Sequence, residues 1–307
     1  MLDVLLSPQA LMLAVVVASA VAIQLRGRER MSLKRQASDY STFTAPYNVF
    51  LFATSAVPNR PYLDLAAFPE LELLRGNWQA IRDEARALYD AGHIRATEGH
   101  DDVYGNSLFK KGWKRFYLKW YGDPLGSARR LCPTTVALLD RLPTVHAAMF
   151  SLVGPHSRLG KHRDPLGASL RYHLGLVTPN SDACRILVDG QPYGWRDGEG
   201  VLFDETYLHW VENDTDQTRI VLFCDIERPL RWRWATAINR WVIRHVGPST
   251  AARNEPDEPL GMVNRLAAAY HPLQMAGRRL KARNRQVYYG LKFGVLIGLL
   301  AVVLLAL

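Results

Sequence analysis

From residue 145 onward the chain reads as a series of short strands, 145–153, 169–177, 185–189, 200–203 and 219–226, with no helical period between them. The pieces in between, "TPNSD", "DGQPYGWRDGEG" and "ENDTDQT", are dense in Gly, Pro, Asn and Asp, which close turns. Parallel strands need long crossovers, usually helical. Without them the strands must pair antiparallel, and regularly spaced short antiparallel strands bury their inner faces in a sandwich or barrel. The fold class is therefore mainly β, with its core over about 145–230.

Upstream, Trp78, Ile81, Ala85 and Leu88 fall at helical spacing and Gly92 follows as a stop, so 78–91 is read as a helix. Residues 112–123, "GWKRFYLKWYGD", alternate Phe116, Leu118 and Trp120 as on a strand, and 134–142 is a short helix closed by Pro143. Residues 36–75 are Pro-rich and read as an extended arm.

Both ends are apolar. Residues 4–25 and 287–307 are each long enough for a membrane helix, which needs roughly 20 residues. No basic segment precedes the first run, as a cleaved signal peptide would require. Arg26, Arg28, Arg30, Lys34 and Arg35 follow it, and Arg278, Arg279, Lys281, Arg283 and Arg285 precede the second run. Both clusters face the centre, so the positive-inside rule puts the central region in the cytoplasm. The expected organisation is a transmembrane helix at 1–25, a basic juxtamembrane arm at 26–75, a catalytic or binding domain at 76–230, amphipathic basic helices at 231–286 and a second transmembrane helix at 287–307. In "LRWRWATAINRWVIRHV" (230–246), Trp234, Ile238, Trp241 and His245 share one helical face, with Arg233, Arg240 and Arg244 roughly opposite, a pattern suited to a bilayer interface.

The net charge of +9 implies an anionic partner. No zinc-knuckle, helix-turn-helix or RNA-recognition signature is present, so nucleic acid is not expected. Anionic phospholipid headgroups are, and Lys110, Lys111, Lys114 and Arg115 are candidates to contact phosphates. Cys132, Cys184 and Cys224 are far apart and read as buried reduced thiols.

The chemistry concentrates in "KHRDPLGASLRYHLGL" (161–176). His162 and Asp164 lie two apart, so a strand end can aim both at one point. With His209, in "FDETYLHWVEND", they make a two-histidine, one-carboxylate set, which leaves one face of an Fe(II) ion open to O2 and a co-substrate. A 2-oxoglutarate co-substrate needs a forked cation for its distal carboxylate, and Arg219, opening the last strand, supplies one. Arg171 and His173 share a strand face, opposite Leu170, Tyr172, Leu174 and Leu176. Ser151, on the strand before the metal site, offers a hydroxyl.

The segments "HRDPLGASLRYHLGL", "DGEGVLFDETYLHWVENDT" and "RIVLFCDIERP" resemble the aspartyl/asparaginyl β-hydroxylase family of Fe(II)/2-oxoglutarate dioxygenases. Within it, "NSLFKKGWKRFYLKWYGDPLGSA" and "LCPTTVALLDRLPTVHAAMF" are similar to the bacterial lipid A acyl-chain 2-hydroxylases. The resemblance covers roughly residues 45–230. It implies a double-stranded β-helix (jelly-roll, cupin-like) core with flanking helices. It implies metal ligands at His162 and His209, with Asp164 retained as in the lipid hydroxylases although peptidyl members lack that carboxylate. Co-substrate contacts are implied at Ser151, Arg171, His173 and Arg219. The implied activity is addition of a 2-hydroxyl to a secondary acyl chain of lipid A at the bacterial inner membrane, with the catalytic domain cytoplasmic. Another lipid such as an ornithine lipid, a peptidyl Asp/Asn side chain, or a membrane-tethered binding module without catalysis are the alternatives.

Overall fold

The strands are β1 (Tyr62–Leu63), β2 (Trp113–Trp120), β3 (Val145–Val153), β4 (Ser157–His162), β5 (Ser169–Val177), β6 (Cys184–Val188), β7 (Gln191–Gly194), β8 (Gly200–Phe203), β9 (His209–Asn213) and β10 (Arg219–Glu227). The computed structural model describes residues 7–96, 102, 111–291 and 294. One sheet has the order β1-β8-β5-β10-β3-β2 and the other β4-β9-β6-β7, with every pairing antiparallel. From β3 to β10 the chain passes back and forth between the two sheets, which is the double-stranded β-helix. β5 and β10 lie inside the larger sheet and are buried along nearly their whole length, so their sequences run apolar without clean alternation.

The expected strands lie where the apolar runs placed them, within a residue or two. β4, β7 and β9 carry no such run. They are half-exposed and punctuated by charge or Pro, so a hydrophobic pattern does not mark them. β1 and β2 extend the larger sheet beyond 145–230.

The helices are α1 (Pro8–Leu25), α2 (Leu33–Ser38), α3 (Tyr40–Phe43), α4 (Ala45–Thr54), α5 (Glu72–Gly76), α6 (Trp78–Asp90), α7 (Gly126–Leu131), α8 (Pro133–Asp140), α9 (Arg233–Val246) and α10 (Met262–Arg283). α6 buries Ile81, Ala85 and Leu88 and packs on β5. The expected extended arm is largely helical instead. Pro46 sits in the first turn of α4, where a missing N–H costs nothing, and the Asp39 carboxylate accepts from the Ser41 N–H to start α3.

The expectation of a membrane span at the N-terminal end is also revised. No helix among the described residues is long and apolar enough to cross a membrane. The helix described at this end, α1, has 18 residues. The second expected span, 287–307, lies almost wholly outside the described residues. Arg26 is not free to face a membrane either. It pairs with buried Asp204 at 2.6 Å and lies over the Phe52 ring at 3.6 Å. Arg115 is buried in a 3.0 Å pair with Asp102, which removes it from the candidate phosphate contacts, and Lys110 lies outside the described residues.

Candidate metal centre and co-substrate cavity

β4 ends at His162 and β9 begins at His209, and the strand register makes them direct partners. Their ring centroids are 4.2 Å apart. Each ring is oriented by the backbone two residues before it. His162 Nδ1 lies 2.8 Å from the Gly160 carbonyl and His209 Nδ1 3.0 Å from the Tyr207 carbonyl. A carbonyl oxygen only accepts, so both Nδ1 atoms donate to it, which leaves each Nε2 as the ring atom available to a metal.

Asp164 follows in the loop after β4, where its backbone N–H donates to the Glu205 carbonyl at 3.0 Å. Its Oδ1 is 3.9 Å from His162 Nε2. One donor atom each from His162, Asp164 and His209 lie within 4.8 Å of one another, close enough for all three to converge on one cation. Burial works against the Asp164 charge, but the neighbouring charges, Arg171 foremost, outweigh it and hold the carboxyl at about 2. Burial first, and His162 second, push His209 down to about 3, so this imidazole stays neutral. Two imidazole nitrogens and one carboxylate fit a divalent iron ion with open positions.

The guanidinium of Arg171 is the hub beside this set. Its Nη1 donates to Asp164 Oδ2, its Nε donates to Asp225 Oδ1 at 3.0 Å, and Glu205 lies at 3.5 Å. Asp225 is the cross-strand partner of Arg171 and also accepts from the Tyr121 hydroxyl at 3.1 Å. Burial pushes the Glu205 and Asp225 carboxyls above their usual range. Arg171 lines the cavity as the sequence suggested, but its guanidinium is committed to carboxylates and orients Asp164. Residue spacing alone does not single out Asp225 or Glu205. An aspartate inside the apolar run "RIVLFCDIE" was the available signal, because a buried carboxylate needs a donor.

Arg219, at the start of β10, is 1% exposed. Its Nη1 donates to the Ser151 carbonyl at 3.1 Å, and its guanidinium lies 4.1 Å from the Trp195 ring centroid. Its Nε has no partner. Burial lowers its pKa to about 10, with Cys184 opposing. Trp195 reaches this point because the following residue crosses tightly over β5. A Cβ at Gly175 would meet the Arg196 carbonyl oxygen at 2.0 Å, so only glycine allows the crossing. His173 is wedged among Trp195, Phe203 and Phe223, with both ring nitrogens buried and unpartnered. Burial, then Arg219, hold it far below the usual histidine range. The Ser151 hydroxyl accepts from Trp113 Nε1 at 2.8 Å.

Ser151, His162, Arg171, His173, His209 and Arg219 thus line one cavity between the two sheets. Buried polar atoms without partners are costly unless a ligand satisfies them. The orphaned nitrogens of His173 and Arg219 fit the carboxylate end of a small oxoacid, and the His162–Asp164–His209 cluster fits its metal-chelating end.

A double-stranded β-helix with these two ends to its cavity is an arrangement that could hold one metal ion together with a small oxoacid. Residues 75–229 match the family model described as aspartyl/asparaginyl beta-hydroxylase, and the chain belongs to that family. It is 34% identical over 175 residues to an ornithine lipid ester-linked acyl 2-hydroxylase of Rhizobium tropici, covering 56% of this chain and 62% of the relative. It is 29% identical over 162 residues to the human aspartyl/asparaginyl beta-hydroxylase, covering 51% of this chain and 21% of that protein. The chain therefore spans less than two thirds of either relative. Among solved structures it is similar to a Pseudomonas putida prolyl-4-hydroxylase, with a TM-score of 0.36 and 17% identity over 59% of this chain and 97% of that one.

Proposed function

We propose that the protein is an Fe(II)- and 2-oxoglutarate-dependent hydroxylase that adds a 2-hydroxyl to an acyl chain of a membrane lipid. The observation that carries this reading is the convergence of His162, Asp164 and His209 at the cavity that also holds Arg219 and His173. His162, Asp164 and His209 would hold the metal, and Arg219 would take the distal carboxylate of 2-oxoglutarate with a fork that matches it. His173, kept neutral, and Ser151 complete that pocket. The chemistry supplied when metal and co-substrate are bound is oxidative decarboxylation of 2-oxoglutarate, giving succinate and CO2, coupled to hydroxylation by O2. The protein's own part is to aim the donors, keep Asp164 ionised through Arg171, and exclude water from an apolar-walled site.

Lipid A, through a secondary acyl chain, is the first candidate substrate. An ornithine lipid is the second, favoured by the Rhizobium relative. The proposed location is the bacterial inner membrane with the catalytic domain on the cytoplasmic side, where 2-oxoglutarate and reduced iron are supplied. The test is succinate release with Fe(II), 2-oxoglutarate and each purified lipid in turn, with mass spectrometry of the lipid. Addition of one oxygen to an acyl chain of either lipid supports the reading and selects the substrate. Turnover only with a peptide bearing Asp or Asn overturns the lipid assignment, and no turnover with any of them overturns the enzyme reading.

A further inference from the structure

Helix α9 is turned inside out. It buries Ala235, Asn239 and Ile243 and leaves Trp234 and Trp241 56% and 57% exposed, with Ile238 exposed between them. A water-facing helix on a folded core buries its large apolar side chains. α1 departs further. Residues 11–18 are all apolar, and every one is exposed or half-buried, whereas Ser19, Ile23 and Gln24 at its other end are buried. On α3, Tyr40 and Phe43 are each 74% exposed.

These side chains belong to one helical layer. α1 packs on α3 and α4. Phe50 of α4 meets Trp234 at 5.7 Å between ring centroids, and the Tyr47 hydroxyl donates to Asn239 Oδ1 at 2.6 Å. Basic residues run through the layer. Arg231, Arg233 and Arg244 lie in 231–246, which contains no acid, while Arg240 pairs with Glu227 at 2.8 Å. Arg28, Arg30, Lys34 and Arg35 follow α1 and are exposed. Two copies meeting through such faces would oppose like charges. Tryptophan and arginine beside an apolar helix match an anionic lipid–water boundary.

The same layer holds the metal loop. Thr44 Oγ1 donates to the Pro165 carbonyl, as does Asn48 Nδ2 at 2.9 Å, and the Gly167 N–H donates to Asn48 Oδ1 at 2.8 Å. Asn239 Nδ2 of α9 donates to the Ala168 carbonyl at 3.0 Å, and Arg163 donates to Gln36 of α2 at 2.9 Å.

We propose that α1, α3 and α9 form one docking face for an anionic phospholipid bilayer. It seats loop 161–168, with His162 and Asp164, beside the lipid headgroups. This deepens the acyl-lipid reading above and rests on it for the identity of the substrate, but its test reads contact and not turnover, so either can fail alone.

Cys132, Cys184 and Cys224 are buried, so an exposed introduced thiol can be labelled selectively. Tyr40→Cys, Trp234→Cys and Trp241→Cys in the full chain would each carry an environment-sensitive fluorophore, with Asp216→Cys, in the β9–β10 turn, as the control. On vesicles of phosphatidylglycerol and phosphatidylethanolamine, the first three labels are expected to shift to the blue and to be quenched by spin-labelled lipid, and the control to do neither. Vesicles of phosphatidylcholine alone should bind at least about tenfold more weakly, as expected when several cations lose anionic lipid. Labels at 40, 234 and 241 that stay water-exposed while the protein floats with the vesicles overturn the proposal. A vesicle-independent blue shift that grows with protein concentration assigns the face to a second copy and also overturns it. Equal binding to both vesicle types overturns the anionic assignment.

Discussion

Arg171 and Asp225 stand opposite each other on β5 and β10, 3.0 Å apart, and the same guanidinium reaches across to Asp164 in the metal loop. The carboxylate of the metal set is thus aimed from a neighbouring strand. Arg171→Lys keeps the charge and loses the fork. Iron affinity is expected to fall about tenfold or more, the range for a residue that orients a metal ligand, while the 2-oxoglutarate KM moves much less. Asp225→Asn should act in the same direction. A defect of Arg171→Lys confined to the 2-oxoglutarate KM would instead make its guanidinium a co-substrate contact.

The three candidate ligands are not equivalent. His162→Ala and His209→Ala each remove a lone pair that no neighbour replaces, and metal titration of both should detect no specific site. Asp164→Ala should weaken iron binding strongly while leaving the two imidazoles in place. Asp164→Ala with full turnover at saturating iron would show that water fills the third position.

Arg219 is buried with its Nε unpartnered. Arg219→Lys should weaken 2-oxoglutarate binding by about 1.5–3 kcal/mol, the range for a hydrogen bond to a charged group, with metal binding retained. Calorimetric titration of 2-oxoglutarate into the metal-loaded variant reads this directly, and unchanged affinity would leave Arg219 a structural role.

Asp204 is held by Arg228 at 2.9 Å and Arg26 at 2.6 Å. Burial alone would raise its pKa, but Arg228 and Arg26 outweigh it and take the carboxyl well below its usual range. A depressed folded-state pKa contributes stability above the unfolded value, about 3.9, and that contribution is lost as pH falls towards the folded value. Asp204→Asn should therefore cost about 3–5 kcal/mol at neutral pH, because it leaves buried Arg228 without its partner. The variant should also lose less stability than the wild type on acidification below about pH 4. Urea melts at neutral and acid pH test both, and parallel pH curves would refute the assignment.

β2, β3, β5, β6, β8 and β10 and the His-x-Asp spacing at the end of β4 are legible because apolar runs and close ligand spacing are local signals, whereas β4, β7 and β9 carry no apolar run. Arg171 was legible as an inward-facing side chain on β5, but its partners were not. Asp225 and Glu205 meet it only through the register of β10 and the turn after β8, which no spacing in the sequence encodes. α2 to α4 were hidden for a different reason. They are short, Pro46 reads as a breaker out of context, and much of what they bury is polar, including Gln36, Ser41 and Asn48. Gln36, Thr44 and Asn48 serve loop 161–168, so no hydrophobic stripe announces these helices.

Thr44, Asn48 and Asn239 all bond to the chain between Pro165 and Ala168, and all three lie outside the segment 75–229 that matches the family model. The segment that matches the family and the segment that holds the metal loop in place are therefore not the same. Excised at the family boundaries, the chain would keep every candidate ligand and lose the struts that hold the loop bearing Asp164. A transplant of this site has to carry residues from α2 to α9 as one piece.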